Sequence, residues 1–248
     1  MVIEGRFAVS RALQCGYRPD LILTTKETLA SLPDPPLETV VEVLSRVELS
    51  GISGYDFHRG CLALGERPRR VRTLDSVIHQ ITSITDDPKC RTVLLLERIA
   101  DPQNVGAILR TAHALGVSHI FVSSECANPW SRRVIRTSMA NVFATPPIIS
   151  ADLCDVADRL CQEAKAQLIA AALTDDAVPI QDFRHTEGPI ALMLGNEGAG
   201  LSSALVERAH HVVKIPVQDA ADSLNVAVAA GIFLDRLRQP LLDAFDSA

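Results

Sequence analysis

The stretch LGNEGAGLS, Leu194 to Ser202, begins on the last residue of the apolar run PIALML. Three glycines and an Asn-Glu pair in so short a space mark a tight turn leaving the end of a strand. A P-loop needs Gly-x4-Gly-Lys-Ser/Thr, because the lysine must reach the terminal phosphates; this loop has no such lysine. A dinucleotide fingerprint needs Gly-x-Gly-x-x-Gly in the first βα turn of its unit. Here the order is Gly195-x-x-Gly198-x-Gly200, and it follows a late strand. What remains is a turn with exposed backbone N–H groups, either a ligand loop or a plain turn. Open α/β sheets bind ligands at the carboxyl ends of their strands, so the loop is well placed for the first role.

Outward from the loop, apolar runs recur. TVLLLE (92–97), HIFVSS (119–124), QLIAAAL (167–173), PIALML (189–194) and HVVKIPV (211–217) alternate with stretches of helical spacing. Strands apolar on both faces and separated by helices predict an α/β fold, a parallel sheet covered on both sides. Ahead of it, a smaller α/β unit is expected. FAVSRALQCG has helical spacing with Gly16 as a stop, LILTT and Thr39–Val43 read as strands, and CLALG closes the unit. The basic stretch ERPRRVR opens what reads as a linker. The expected division is 1–72, a linker 73–89, and 90–248. The last helix, SLNVAVAAGIFLDRL, is apolar nearly all round, which predicts a subunit contact as well as core packing.

Composition bounds the partners. The chain has 248 residues, 47% hydrophobic and 22% charged, with a formal net charge of −6. By itself that charge argues against a nucleic-acid partner. Its distribution argues otherwise: residues 1–72 hold 10 Lys+Arg against 9 Asp+Glu, and the remainder 14 against 21. Two basic clusters stand out, Arg67, Arg69, Arg70 and Arg72, then Arg132, Arg133 and Arg136. They are either solvated faces or phosphate contacts. The six cysteines are scattered, form no CxxC and sit beside no histidine at ligand spacing, so no metal site is expected. No run is long enough to span a bilayer, and the first residues lack the apolar core of a secretion signal. A cytoplasmic protein is the expectation.

Two further stretches weigh on the glycine loop. In ERIADPQNVGAILRTAHALG, Asp101-Pro102 reads as a helix start and Gly116 as its stop. Asn104 and Arg110 are six residues apart, about 600° of helix, so they face different ways. Their cooperation requires Asn104 to lie before the helix as its N-cap. In KIPVQDAADSLNVAVAAGIF, Ser223 reads as an N-cap. A Ser and an Asn flanking Leu224 at the mouth of an apolar helix favour a polar or anionic ligand.

The three stretches together resemble the SPOUT class of methyltransferases, specifically the TrmH/SpoU family of RNA ribose 2′-O-methyltransferases. The first motif is Asp101-Pro102-x-Asn104-x-Gly106-x-x-x-Arg110-Thr111-Ala112. The second is Leu194-Gly195-Asn196-Glu197-Gly198-x-Gly200-Leu201. The third is Ile215-Pro216, then Ser223-Leu224-Asn225-Val226. They span about residues 92–240, in family order. GYDFHRGCLALG, Gly54 to Gly65, is similar to the small L30e-like RNA-binding domain that many members carry. Family members often have Met and Gly where this chain has Val217 and Asp219, so the loop 217–222 carries two acids, Asp219 and Asp222.

The resemblance implies a deep trefoil knot in the carboxy-terminal unit, S-adenosyl-L-methionine as cofactor and a homodimer formed around the knot. Leu194, Gly195, Asn196, Gly198, Ile215, Pro216, Ser223, Leu224 and Asn225 would line the cofactor site. Arg110, Asn104, Glu197, Ser223 and Asn225 would form the catalytic group, with Glu197 fixing the loop or pairing with Arg110. The substrate would be a ribose 2′-hydroxyl of tRNA or rRNA. His58, Arg59, Arg67, Arg69, Arg70 and Arg110 are the RNA-binding candidates. A non-catalytic RNA-binding protein that keeps the fold is the alternative; an oxidoreductase is disfavoured by the missing dinucleotide fingerprint.

Overall fold

The computed structural model describes residues 1–54, 57, 59–68, 72–83, 92–184, 188–218 and 223–246, and side chains as far as residue 237. The amino-terminal unit contains β1 (Val2–Glu4), α1 (Arg6–Gln14), β2 (Leu21–Thr24), α2 (Lys26–Leu29), β3 (Val40–Val43), α3 (Arg46–Ser53) and β4 (Cys61–Leu64). Its sheet runs β1-β4-β2-β3, with β4 antiparallel to both neighbours and β2 parallel to β3. Ser45 starts α3 with a capping box to Glu48, and Gly54 ends it in the left-handed conformation, which glycine adopts without penalty.

The stretch read as a linker contains a helix, α4 (Leu74–Ser83). Val77, Ile78 and Ile81 pack into the same apolar cluster as Val93, Leu95 and Phe121. The spacing of those three residues is that of one helical face, and its burial outweighs the polar flanks.

The larger unit is built from β5 (Thr92–Leu96), α5 (Pro102–Ala114), β6 (His119–Ser123), α6 (Arg132–Thr137), α7 (Asn141–Ala144), β7 (Ile148–Ser150), α8 (Leu153–Ala164), β8 (Gln167–Ala171), β9 (Val178–Pro179), β10 (Ile190–Leu194), α9 (Ser203–Val206), β11 (His211–Lys214) and α10 (Val226–Asp246). All seven strands pair in parallel, in the order β7-β6-β5-β10-β8-β11-β9. This is the expected parallel α/β sheet. Every residue of β5, β6 and β10 is buried, as strands covered on both faces require. β10 sits at the centre and delivers the glycine loop at its carboxyl end.

The two units share one core. Ile3, Val9 and Tyr17 belong to the same apolar cluster as Val105, Ile135 and Phe143. The Tyr17 and Phe143 rings lie 4.9 Å apart. Arg11 donates across the junction to Asn141 Oδ1 (2.7 Å) and to the Met139 carbonyl (3.1 Å). Among the described residues no helix is long and apolar enough to cross a membrane.

One buried polar contact makes stability pH-dependent. The Arg72 guanidinium lies 2.8 Å from His119 Nδ1 and donates to the Ser118 carbonyl. Arginine only donates, so Nδ1 accepts and the proton resides on Nε2. Burial, and then the charge of Arg72, push the His119 pKa down to about 4. The unfolded chain therefore binds more protons between about pH 6.5 and 4. The stability held above pH 6.5 is lost as pH falls through this window, by on the order of 3 kcal/mol. Urea unfolding at stepped pH should show that slope, and a His119→Gln variant should lack it.

Candidate functional site

At the carboxyl ends of β8, β10 and β11 lies a cavity of about 630 Å³. Its floor is the glycine loop. Asn196 holds the loop closed: its backbone exchanges both hydrogen bonds with Gly200, at 3.1 and 2.9 Å. Its Oδ1 accepts from Gly198 N (2.9 Å) and Ala199 N (3.0 Å), and its Nδ2 donates to the Arg98 carbonyl (2.9 Å). The Asn196 side chain, one of the predicted cofactor contacts, is thus spent inside the protein. Gly195 has its reason in the same closure. A Cβ there would lie 2.2 Å from Gly200 C and from Leu201 N. Glu97 braces the far end of the loop by accepting from Ser202 N (2.7 Å).

Of the predicted contacts, Leu194, Gly195, Asn196, Gly198, Ile215, Ser223 and Leu224 line the cavity; Pro216 and Asn225 do not. Glu197, placed in the catalytic group, lines it too. Sequence reasoning missed one wall, Ala171–Thr174 at the end of β8, together with Lys214 and Phe233. The rule that strand carboxyl ends bind ligands pointed at β8 as much as at β10. Phe233 lies two turns inside α10 and carries no local signal. Lys214 Nζ donates to the carbonyls of Thr174 (3.1 Å) and Asp175 (3.4 Å), tying the β11 wall to the β8 wall.

Beside the cavity, three predicted catalytic residues form one chain of hydrogen bonds. Asn104 Nδ2 donates to Glu197 Oε1 at 2.5 Å, and Asn225 Nδ2 donates to Asn104 Oδ1 at 2.9 Å. Asn225 Oδ1 accepts from Ala227 N (2.9 Å) and Val228 N (3.4 Å). The amide of Asn104 is therefore fixed at both ends, and the three motifs meet in this chain.

Four expectations are corrected. Asn104 is not an N-cap: Asp101 caps α5, accepting from Gln103 N at 2.8 Å, and Asn104 lies in the first turn. Glu197 pairs with Asn104, not with Arg110. Ser223 is not the cap of α10, because the Asn225 side chain takes that place; Ser223 stands exposed on the cavity wall. Arg72 is not available to RNA, being spent on Ser118 and His119.

Arg110 stands apart from this group. It is exposed and does not line the cavity. On α5 it lies about 9 Å beyond Asn104 along the axis and about 120° around it. It has no ion pair among the described residues. Gly106, between the two, lets α5 approach α6 closely: a Cβ there would lie 2.6 Å from Thr137 Cβ. Of the RNA candidates, Arg59 and Arg67 are exposed. His58, Arg69 and Arg70 lie outside the described residues, as do Asp219 and Asp222. Among the described residues no group of histidine, cysteine and acidic side chains could hold a metal ion.

The SpoU rRNA Methylase family model matches residues 91–235. An uncharacterized tRNA/rRNA methyltransferase of Mycobacterium bovis is 30% identical over 96% of this chain and 81% of its own length. The 23S rRNA (guanosine(2553)-2′-O)-methyltransferase RlmP of Bacillus subtilis is 31% identical over 80% of this chain and 81% of its own. The structure of an AdoMet-bound rRNA methyltransferase from Sinorhizobium meliloti superposes with a TM-score of 0.76. It is 29% identical and covers 97% of this chain and 87% of that one. The cavity fits that cofactor: Leu194, Leu201, Ile215 and Val226 offer an apolar wall, and a few polar groups rim it, as nucleoside sites require. The chain belongs to the SpoU rRNA methylase family, RNA methyltransferases that use S-adenosylmethionine.

Proposed function

We propose that this enzyme methylates a ribose 2′-hydroxyl of a tRNA or rRNA. The observation that carries the reading is the Glu197–Asn104–Asn225 chain beside the glycine-loop cavity. It is supported by the relative from Bacillus subtilis, whose name specifies a 2′-O product. S-adenosylmethionine supplies an electrophilic methyl group on a sulfonium when bound. The chain's own residues supply the rest. Gly195, Ile215 and Leu224 hold the cofactor by backbone groups and apolar contact. Asn104, fixed at both ends, and Asn225 orient the ribose, and Ser223 offers a hydroxyl from the wall. Holding a weak nucleophile in line with its target supplies much of the rate.

The hydroxyl must also lose a proton. A guanidinium is almost always charged, so Arg110 is not a free-standing base. It meets the ribose and the adjoining phosphate and helps activate the hydroxyl, the proton passing to a phosphate oxygen or to a minor deprotonated form of the guanidine. Because Arg110 lies off its own chain's cavity, this role fits a homodimer. Val228 and Ile232, four apart on α10 and 53% and 39% exposed, supply an apolar stripe for it. α10 packs on α5, with Gly231 beside Thr111, so the stripe lies near the Arg110 helix. A trefoil knot in the carboxy-terminal unit belongs to the same reading, supported by the match of the SpoU family model over residues 91–235. So does an L30e-like, RNA-binding role for the amino-terminal unit, with exposed Arg59 and Arg67 as contacts.

The deciding experiment is transfer of labelled methyl to small RNA and to ribosomal RNA separately, with digestion to nucleosides. Label on a ribose is expected. Label on a base would overturn the 2′-O assignment, and failure to bind the cofactor would favour the non-catalytic alternative. Glu197 has a positioning role with its own prediction. Glu197→Ala removes the acceptor of the Asn104 amide and should slow transfer about 100-fold, the scale of a misplaced reactant. Glu197→Gln retains an acceptor oxygen and should recover most of the rate, a rescue that measured kcat values will show or refute.

A further inference from the structure

Between the amino-terminal sheet and α6 lies a second cavity, of about 450 Å³, which the reaction above leaves unused. Four arginines line it: Arg6 on α1, Arg46 on α3, Arg59 just before β4, and Arg136 on α6. Two carboxylates, Glu4 and Glu27, also line it, so four positive and two negative charges leave a formal +2. The whole chain carries −6. Both acids are committed. Buried Glu4 accepts from Arg132 Nε at 2.9 Å and lies 3.8 Å from Arg59. The Glu27 carboxylate is held below its ordinary pKa first by its own backbone N–H, then by the Thr25 hydroxyl. Arg6, Arg46 and Arg136 are exposed, and none has an ion pair among the described residues.

Two further features point the same way. The first turn of α1 lines the cavity, and its cap, Gly5, has no side chain to satisfy the free N–H groups. A helix start adds positive potential. Phe7, on that same turn, is 65% exposed, and the Arg6 guanidinium sits 4.6 Å above its ring. An aromatic residue gains nothing from that exposure in the isolated chain. It is the surface on which an unstacked base would lie.

We propose that this cavity takes an unstacked nucleotide of the RNA substrate, its phosphates among Arg6, Arg46, Arg59 and Arg136 and its base against Phe7. The inference rests on the reading that the substrate is RNA. Because Arg136 belongs to the methyltransferase unit and the other three to the amino-terminal unit, one nucleotide bound here would fix the RNA against both.

The test uses the full chain and a fluorescein-labelled ten-nucleotide oligouridylate, with anisotropy read at stepped salt. The Arg6→Ala/Arg46→Ala double variant should bind about 10- to 100-fold more weakly near 0.1 M salt, with the log–log salt slope shallower by about 0.7 per arginine removed. Phe7→Ala should weaken binding about 5- to 100-fold with the slope unchanged, since stacking carries no counterion release. Thermal melting and S-adenosylhomocysteine binding of each variant report an intact fold. Wild-type affinity in both folded variants overturns the inference, as does a wild type that fails to bind the oligonucleotide. Uridine monophosphate competing as tightly as the oligonucleotide also overturns it, in favour of a free-nucleotide site. If wild type transfers methyl to RNA and the variants bind normally, this inference alone fails. If wild type neither binds cofactor nor transfers methyl while the variants lose the oligonucleotide, the methylation reading fails and the RNA site stands.

Discussion

Arg110→Ala should reduce methyl transfer roughly a hundred- to ten-thousand-fold, the range for losing a group that assists proton removal and positioning. S-adenosylhomocysteine binding should be unchanged, because Arg110 does not line the cavity. The expectation comes from an exposed guanidinium without an ion pair among the described residues, on the helix that holds Asn104. Such a residue contributes little to the fold, so melting should shift by less than about 0.5 kcal/mol equivalent. Arg110→Lys preserves charge and loses the planar fork that meets a phosphate through two N–H groups. It should therefore recover only part of the rate. Steady-state transfer to the accepting RNA, with calorimetric binding of S-adenosylhomocysteine alongside, separates the outcomes. Full activity in Arg110→Ala would remove the residue from the reaction. Lost cofactor binding would mean that Arg110 acts on the cavity rather than on the RNA.

The relation between Asn104 and Arg110 marks where sequence reasoning stopped. The helical period correctly sets them on different faces, and the inferred remedy, Asn104 outside the helix, does not hold. The resolution is long-range: Glu197 and Asn225 reach Asn104 from loops 93 and 121 residues away, separations that no local pattern encodes. The parallel sheet was legible because β5, β6, β8 and β10 are largely buried apolar runs, and the stretch around β11 is apolar enough to read as a strand although only Val213 of it is buried. β7 was not, being three residues directly after Pro146-Pro147, and only Val122 and its neighbours on β6 make it a strand. α4 carried a readable stripe in Val77, Ile78 and Ile81, obscured by the basic stretch before it and DDPK after it. The shared core of the two units had no sequence signature at all. Tyr17 and Phe143 read as separate aromatics until folding brings their rings to 4.9 Å. The second cavity follows from that junction, so nothing local in the sequence marks Arg6, Arg46 and Phe7 as neighbours.

Gly195→Ala should weaken S-adenosylhomocysteine binding about 10- to 100-fold, as overpacking a close contact costs about 1–3 kcal/mol. The added Cβ meets backbone, not a pliable side chain: Gly200 C and Leu201 N at 2.2 Å and Gly200 O at 2.4 Å. Relief requires the loop to open, which breaks the paired Asn196–Gly200 hydrogen bonds. That in turn moves Glu197, whose carboxylate holds the Asn104 amide, so transfer should fall further than cofactor affinity. Gly198→Ala is the internal control. Its Cβ would find only Asn196 Oδ1, at 3.5 Å, an ordinary contact, and its φ is not in the left-handed range. Binding within about threefold of wild type is expected there. Both variants keep β10 intact, so their melting curves should resemble wild type more closely than their binding does. Equal losses at the two positions would show that the loop tolerates no added carbon anywhere and that Gly195 has no special place in it. Wild-type binding by Gly195→Ala would show that the closed loop is not what holds the cofactor, and the assignment of this cavity would fall with it.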